Sequence, residues 1–107
     1  MGACVGCNRK KLIKMSLEKA LEKRLTNEVK KMKGLALKFW CVSFTGFPDR
    51  VVLIPLGKIF FIEFKDTGKK LSKRQELVHK LLIKLGFQVW VIDTQELLTG
   101  FLNAAKG

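Results

Sequence analysis

At 107 residues the chain is long enough to bury one core and too short for two. Its hydrophobic fraction of 48% is ordinary, and no stretch has the length of a transmembrane span or the pattern of a secretory signal, so a soluble, intracellular protein is expected. Twenty-one Lys and Arg against nine Asp and Glu leave a net charge of +12, which calls for a polyanionic partner: nucleic acid first, an anionic membrane surface second.

Residues 1–15 are small and then basic (Arg9, Lys10, Lys11, Lys14) and read as a flexible lead-in to a single domain over residues 16–107. Cys4 and Cys7 form a CxxC, but no second CxxC or HxxxH follows and His79 is the sole histidine, which argues against a zinc site. With Cys41 they make no disulfide framework, in keeping with a reducing compartment. Met1-Gly2 resembles an acylation signal, yet position 6 is Gly rather than Ser or Thr.

Ser16 is a plausible N-cap for a helix to about Lys33, with Gly34 at C′. Leu17, Leu21, Leu25, Val29 and Met32 recur at spacings of four or three and form one apolar stripe, with Glu18 and Glu22 at its border. Leu35–Val42 reads as a strand and 43–47 as a loop. Two apolar runs follow, Arg50–Ile54 and Ile59–Phe64, joined by Pro55-Leu56-Gly57-Lys58. Both are too short for a typical helix and rich in β-branched and aromatic residues, which predicts a β-hairpin. A basic turn, 66–71, leads to Ser72, whose Ser72-Lys73-Arg74-Gln75 fits a capping box for a helix ending near Leu85 and closed by Gly86. Its buried face is expected to comprise Leu77, Val78, Leu81, Leu82 and Leu85. Phe87–Asp93 is a fourth strand, and Asp93 or Thr94 caps a last helix from Gln95 to about Ala105, with Gly100 a weak point. The order predicts an α/β fold, a mixed sheet with helices on its faces.

The hairpin carries the chemistry. If Pro55-Leu56-Gly57 is a three-residue loop, Asp49 lies opposite Glu63, with Lys65 two residues on along the same face. Pro at the first position presets a type I turn and Gly at the third can be left-handed, whereas a two-residue Leu56-Gly57 loop would turn Glu63 to the other face. Two carboxylates at cross-strand distance repel unless one is protonated or a cation lies between them. Asp49, Glu63 and Glu22 offer only oxygen, which suits Mg²⁺ or Mn²⁺ rather than zinc. Lys65 could orient an attacking water or offset charge in a phosphoryl transition state; in the competing reading it merely pairs with Glu63 or Asp49 at the sheet edge.

Asp49 followed after thirteen residues by Glu63-Phe64-Lys65, with Pro48 before the aspartate, resembles the PD-(D/E)xK nuclease signature. With Glu22 on a first helix, LALKF at 35–39, GFPDRVVLIPLGKIFFIEFK at 46–65, Leu71-Ser72 with Gln75, and GFQVWVID at 86–93, the chain is similar to the virus-type replication–repair nuclease family (VRR-NUC) over roughly residues 18–97. Phe47, where an aliphatic residue is common, and Met32-Lys33-Gly34, without the usual double glycine, depart from the pattern. The resemblance implies a restriction-endonuclease-like αβββαβ core and a Mg²⁺- or Mn²⁺-dependent DNA endonuclease. It also implies a homodimer similar to Holliday-junction resolvases. It assigns Glu22, Asp49 and Glu63 to metal ligation, Lys65 to catalysis and Gln75 to the neighbourhood of the metal, with Glu18 able to replace Glu22 in a shifted helix register. Gln75 thus has two readings, one as a cap and one as a site residue.

Lys69, Lys70, Lys73 and Arg74 cluster after the catalytic strand, where phosphate contacts would position DNA, duplex or branched, without reading bases. The bland reading of such a run is a solvated face. The other class to be weighed is a non-catalytic basic nucleic-acid-binding module, in which Asp49 and Glu63 only make ion pairs; a protein of the membrane surface using its basic lead-in is the weaker third.

Overall fold

The computed structural model describes residues 17–107. They run α1 (Leu17–Lys31), β1 (Leu35–Lys38), β2 (Arg50–Ile54), β3 (Lys58–Phe64), α2 (Lys73–Lys84), β4 (Gln88–Ile92) and α3 (Gln95–Lys106). The strands form one sheet in the order β1-β2-β3-β4, antiparallel except for β3 and β4, which are parallel. This is the expected mixed-sheet α/β architecture with an extra C-terminal helix. The basic lead-in, its CxxC and the expected cap Ser16 lie outside the described residues.

The stripe on α1 builds the main core. Leu21, Leu25 and Val29 are fully buried against Val52, Phe60, Ile62 and Phe64 of the sheet and Leu98, Phe101 and Leu102 of α3, with Leu17 and Met32 partly buried at the margins. Arg24 ties the two helices together, donating to the Gln95 carbonyl and side-chain oxygens and to Thr99 Oγ1. α1 ends one residue earlier than Gly34 at C′ would require. Lys33 takes the left-handed conformation (φ 64°), its N–H donates to the Lys30 carbonyl, and the Gly34 N–H reaches back to the Val29 carbonyl. That is a Schellman motif with Lys33 at C′. Gly34 serves another purpose: a Cβ there would lie 2.4 Å from the Leu53 carbonyl oxygen, so only glycine lets the chain enter β1 this close to β2.

β1 is shorter than the expected 35–42. Phe39 N–H still donates to the Asp49 carbonyl, but β2 offers Trp40, Cys41 and Val42 no further partner, and Trp40 and Val42 are largely exposed. The hairpin register is the expected one: Arg50 faces Ile62, Val52 faces Phe60 and Ile54 faces Lys58, around a three-residue loop. The turn type is not. A type I turn needs φ near about −90° at its second residue, whereas Leu56 has φ 74° and Gly57 φ 75°. Leu56 is 95% exposed in that conformation, with no packing to offset the strain.

Ser72 caps α2 with the predicted reciprocal box, and Gly86 (φ 100°) closes it. Which face of α2 is buried differs from expectation. Val78, His79 and Leu82 are inside, while Leu77 (61%), Leu81 (45%) and Leu85 (63%) are exposed. The helix carries two apolar stripes about a hundred degrees apart, and it lies against β4 with the one that includes the histidine turned inward.

Candidate active site

The hairpin register, extended one pair beyond Arg50–Ile62, sets Asp49 opposite Glu63 on the face of the sheet turned toward α2. The main chain favours the charged form of both, the Phe64 backbone that of Asp49 and the Asp49 backbone that of Glu63. Both side chains nevertheless keep a buried oxygen, Asp49 Oδ1 and Glu63 Oε1, without a hydrogen-bond partner. Orphaned carboxylate oxygens are costly in a folded chain and need an explanation.

From the other side α1 brings its two glutamates. Carboxylate oxygens of Glu18, Glu22 and Asp49 all lie within 4.8 Å of one another. The helix is pinned there by Asp66, whose Oδ1 accepts from the Glu18 N–H just beyond β3. Glu18 and Glu22, four apart, share a helix face, and both reach the Asp49 carboxylate. Glu63 is not within that group; its Oε1 is instead 3.9 Å from Nε2 of His79 on α2.

Electrostatics follow from burial. Glu63 is 5% exposed; burial, and then the Asp49 charge, push its pKa up to about 7 from an ordinary 4.5, with Lys65 opposing. Burial likewise raises Asp49, an effect that Arg50 opposes and Glu22 reinforces. Burial and then the nearby Lys65 charge lower His79. Lys65 forms no ion pair with either acid, although its charge is felt by Glu63 and His79, so the sheet-edge pairing considered for it is not what the structure shows.

The cation in contact with the cluster is Arg50, almost fully buried, its Nη2 2.7 Å from Glu22 Oε1 and its Nη1 donating to the Asp49 carbonyl. In the sequence Arg50 opens an apolar run and gives no sign of this. Only its place beside Asp49 at a strand start, with a helix bearing two glutamates to be docked, could have flagged it. His79 gave a signal as the lone histidine next to Val78 on an apolar stripe.

Gln75 is engaged as a cap: its Oε1 accepts from the Ser72 N–H and its own N–H donates to Ser72 Oγ. Lys69, Lys70 and Lys73 are exposed near the N-terminus of α2. Arg74 is partly committed to structure, its Nε donating to the Thr45 carbonyl and its guanidinium 5.1 Å from the Phe44 ring centre.

An αβββαβ domain with oxygen donors gathered at the open end of its hairpin, and a lysine two residues on, has the outline of a PD-(D/E)xK nuclease. Comparison with known proteins agrees. The family model of the VRR-NUC domain matches residues 2–96, a span that reaches further toward the N-terminus than the resemblance over residues 18–97. A phage protein named "Putative nuclease p44" (Acyrthosiphon pisum secondary endosymbiont phage 1) is 45% identical over 80 residues, 75% of this chain and 86% of the relative. A solved structure described as "VRR_NUC domain" superposes with a TM-score of 0.78 at 26% identity, covering 83% of this chain and 97% of the other. The chain belongs to the VRR-NUC family of nucleases.

Proposed function

We propose that this nuclease is a Mg²⁺- or Mn²⁺-dependent DNA endonuclease with Glu22, Asp49 and Glu63 as metal ligands, Glu18 beside them, and Lys65 as the catalytic lysine. The observation that carries the reading is the convergence of Glu18 and Glu22 of α1 on Asp49 just before β2, with Glu63 of β3 across the hairpin from Asp49 and a buried oxygen on each of those two lacking a hydrogen-bond partner. An all-oxygen donor set of this kind fits a hard divalent cation. Such an ion, when bound, lowers the pKa of a coordinated water and offsets charge on a phosphodiester. The chain's own residues do the rest. Asp49 and Glu63 face one another at the open end of the hairpin. Lys65, unpaired with either acid, is free to meet a scissile phosphate or an attacking water. Lys69, Lys70 and Lys73, with what remains of Arg74, offer charge to the DNA backbone beside the site. Gln75 supports the site through the α2 cap.

The test is nicking of supercoiled plasmid with Mn²⁺ or Mg²⁺. We expect cleavage by the wild-type chain and a loss of at least about 10²–10³-fold in Asp49→Asn and Lys65→Ala. No cleavage by the wild type, or cleavage unchanged from wild type in both variants, would leave a basic binding module.

Branched DNA such as a four-way junction is the substrate this reading favours, cut by two copies acting together. The support for a second copy is an apolar face at some remove from the acids. By the sheet register Leu35, Leu37 and Ile59 lie on the side opposite the main core, the side on which α2 presents Leu77, Leu81 and Leu85, and all six are 40–63% exposed. Monomers seldom leave apolar patches above about 300–600 Å² uncovered. Light scattering should report a dimer that Leu37→Glu with Leu81→Glu converts to a folded monomer; a wild-type monomer would remove this part of the reading.

A further inference from the structure

His79 is the chain's one histidine, and it is 5% exposed on α2 between Val78 and Leu82. Packing alone does not call for it. An aliphatic residue would fill the same place without the roughly 1–3 kcal/mol that an unsatisfied buried polar group costs. Its Nε2 has no hydrogen-bond partner, and neither does Glu63 Oε1, which faces it 3.9 Å away. Two orphaned buried atoms, a potential donor and an acceptor, thus point at each other across the gap between α2 and β3. Closing that gap to about 2.9 Å would satisfy both in one N–H···O bond.

We propose that His79 is a positioning residue for Glu63: its Nε2–H donates to Oε1 and fixes the carboxylate's rotation, leaving the other oxygen for the acid cluster. This rests on the reading of Glu63 as a metal ligand. A histidine in this role acts through the carboxylate, touching neither cation nor DNA, as partners behind metal ligands commonly do.

The experiment is direct Mn²⁺ binding without DNA, by electron paramagnetic resonance of free Mn²⁺ or by calorimetry, with thermal melts in EDTA as the fold control. His79→Leu should weaken Mn²⁺ affinity about 10–100-fold while melting no lower than wild type. His79→Gln, which keeps an N–H donor, should recover most of that loss. In a Glu63→Gln background, adding His79→Leu should change Mn²⁺ affinity no further, because the group it orients is gone. Wild-type affinity in His79→Leu, no recovery in a folded His79→Gln, or the same loss in both backgrounds would overturn the proposal with the metal site standing. Absence of Mn²⁺ binding by the wild type, or unchanged binding in Asp49→Asn, would instead remove the metal site and this inference with it.

Discussion

The two faces of the sheet are built on different terms. Under α1 and α3 the contacts are aliphatic and aromatic, and Leu21, Leu25, Val29, Val52, Ile62 and Phe101 have no exposed surface. Under α2 the buried set includes His79 and Glu63 with unsatisfied atoms, and the helix's best leucine stripe faces outward. One face holds the chain together; the other keeps polar groups in places that packing alone would have filled with carbon. The separation is not complete at one end, where α1, which packs the first face, also brings Glu18 and Glu22 to Asp49.

That separation can be broken from either side. The largest effect belongs to the packed face: Leu25→Ala should destabilise by about 2–5 kcal/mol, read in urea melts, because the surrounding helices and sheet cannot collapse onto the void. Metal-free pH dependence probes the other face. Glu63 titrates near 7 when folded against an ordinary 4.5, so burying it stabilises the chain fully below about pH 4.5 and that stability is lost as pH rises through about 7. His79, lowered by burial, works in the opposite sense: its contribution is present above its ordinary 6.5 and lost as pH falls through its lowered value. In EDTA the unfolding free energy should therefore fall between about pH 5 and 8, by on the order of 2–3 kcal/mol. Glu63→Gln should flatten that fall, and saturating Mn²⁺ should reverse it at the alkaline end. A metal-free stability that rises across this window would contradict the assignment. The smallest effect lies between the faces, at the hairpin tip. Leu56→Gly should stabilise by about 0.5–1 kcal/mol, since it releases a left-handed leucine that packs on nothing.

Much of the fold could be read from the chain because its signals were local and redundant. The Ser72–Gln75 box, the α1 stripe and the Pro55–Gly57 loop each involve near neighbours, and the register places Asp49 across from Glu63 without tertiary information. What the sequence hid was decided by competition. α2 has two stripes, and spacing cannot say that the one holding His79 turns inward. Lys33 takes the left-handed position because Gly34 is needed for the close pass by Leu53. β1 stops where β2 has no more backbone to offer. Arg50 looks like the first residue of an apolar strand until Glu22 is brought beside it. For the candidate site, Glu22, Asp49 and Lys65 were legible as residues. The diversion of Glu63 toward His79 was not, since it depends on how α2 sits on the sheet.

The close pass at Gly34 also reaches the opposite end of α1. Besides its buried stripe and the Arg24 contacts, the first helix is held near its two ends, by Asp66 at the Glu18 amide and by the glycine that passes close to the Leu53 carbonyl. A methyl group at position 34 would lift the C-terminal anchor and rock a rigid rod whose far tip, roughly 20 Å away at 1.5 Å per residue, carries both glutamates. The distance between helix and hairpin carboxylates is thus set in part by a residue with no side chain, at the end of the rod remote from any chemistry.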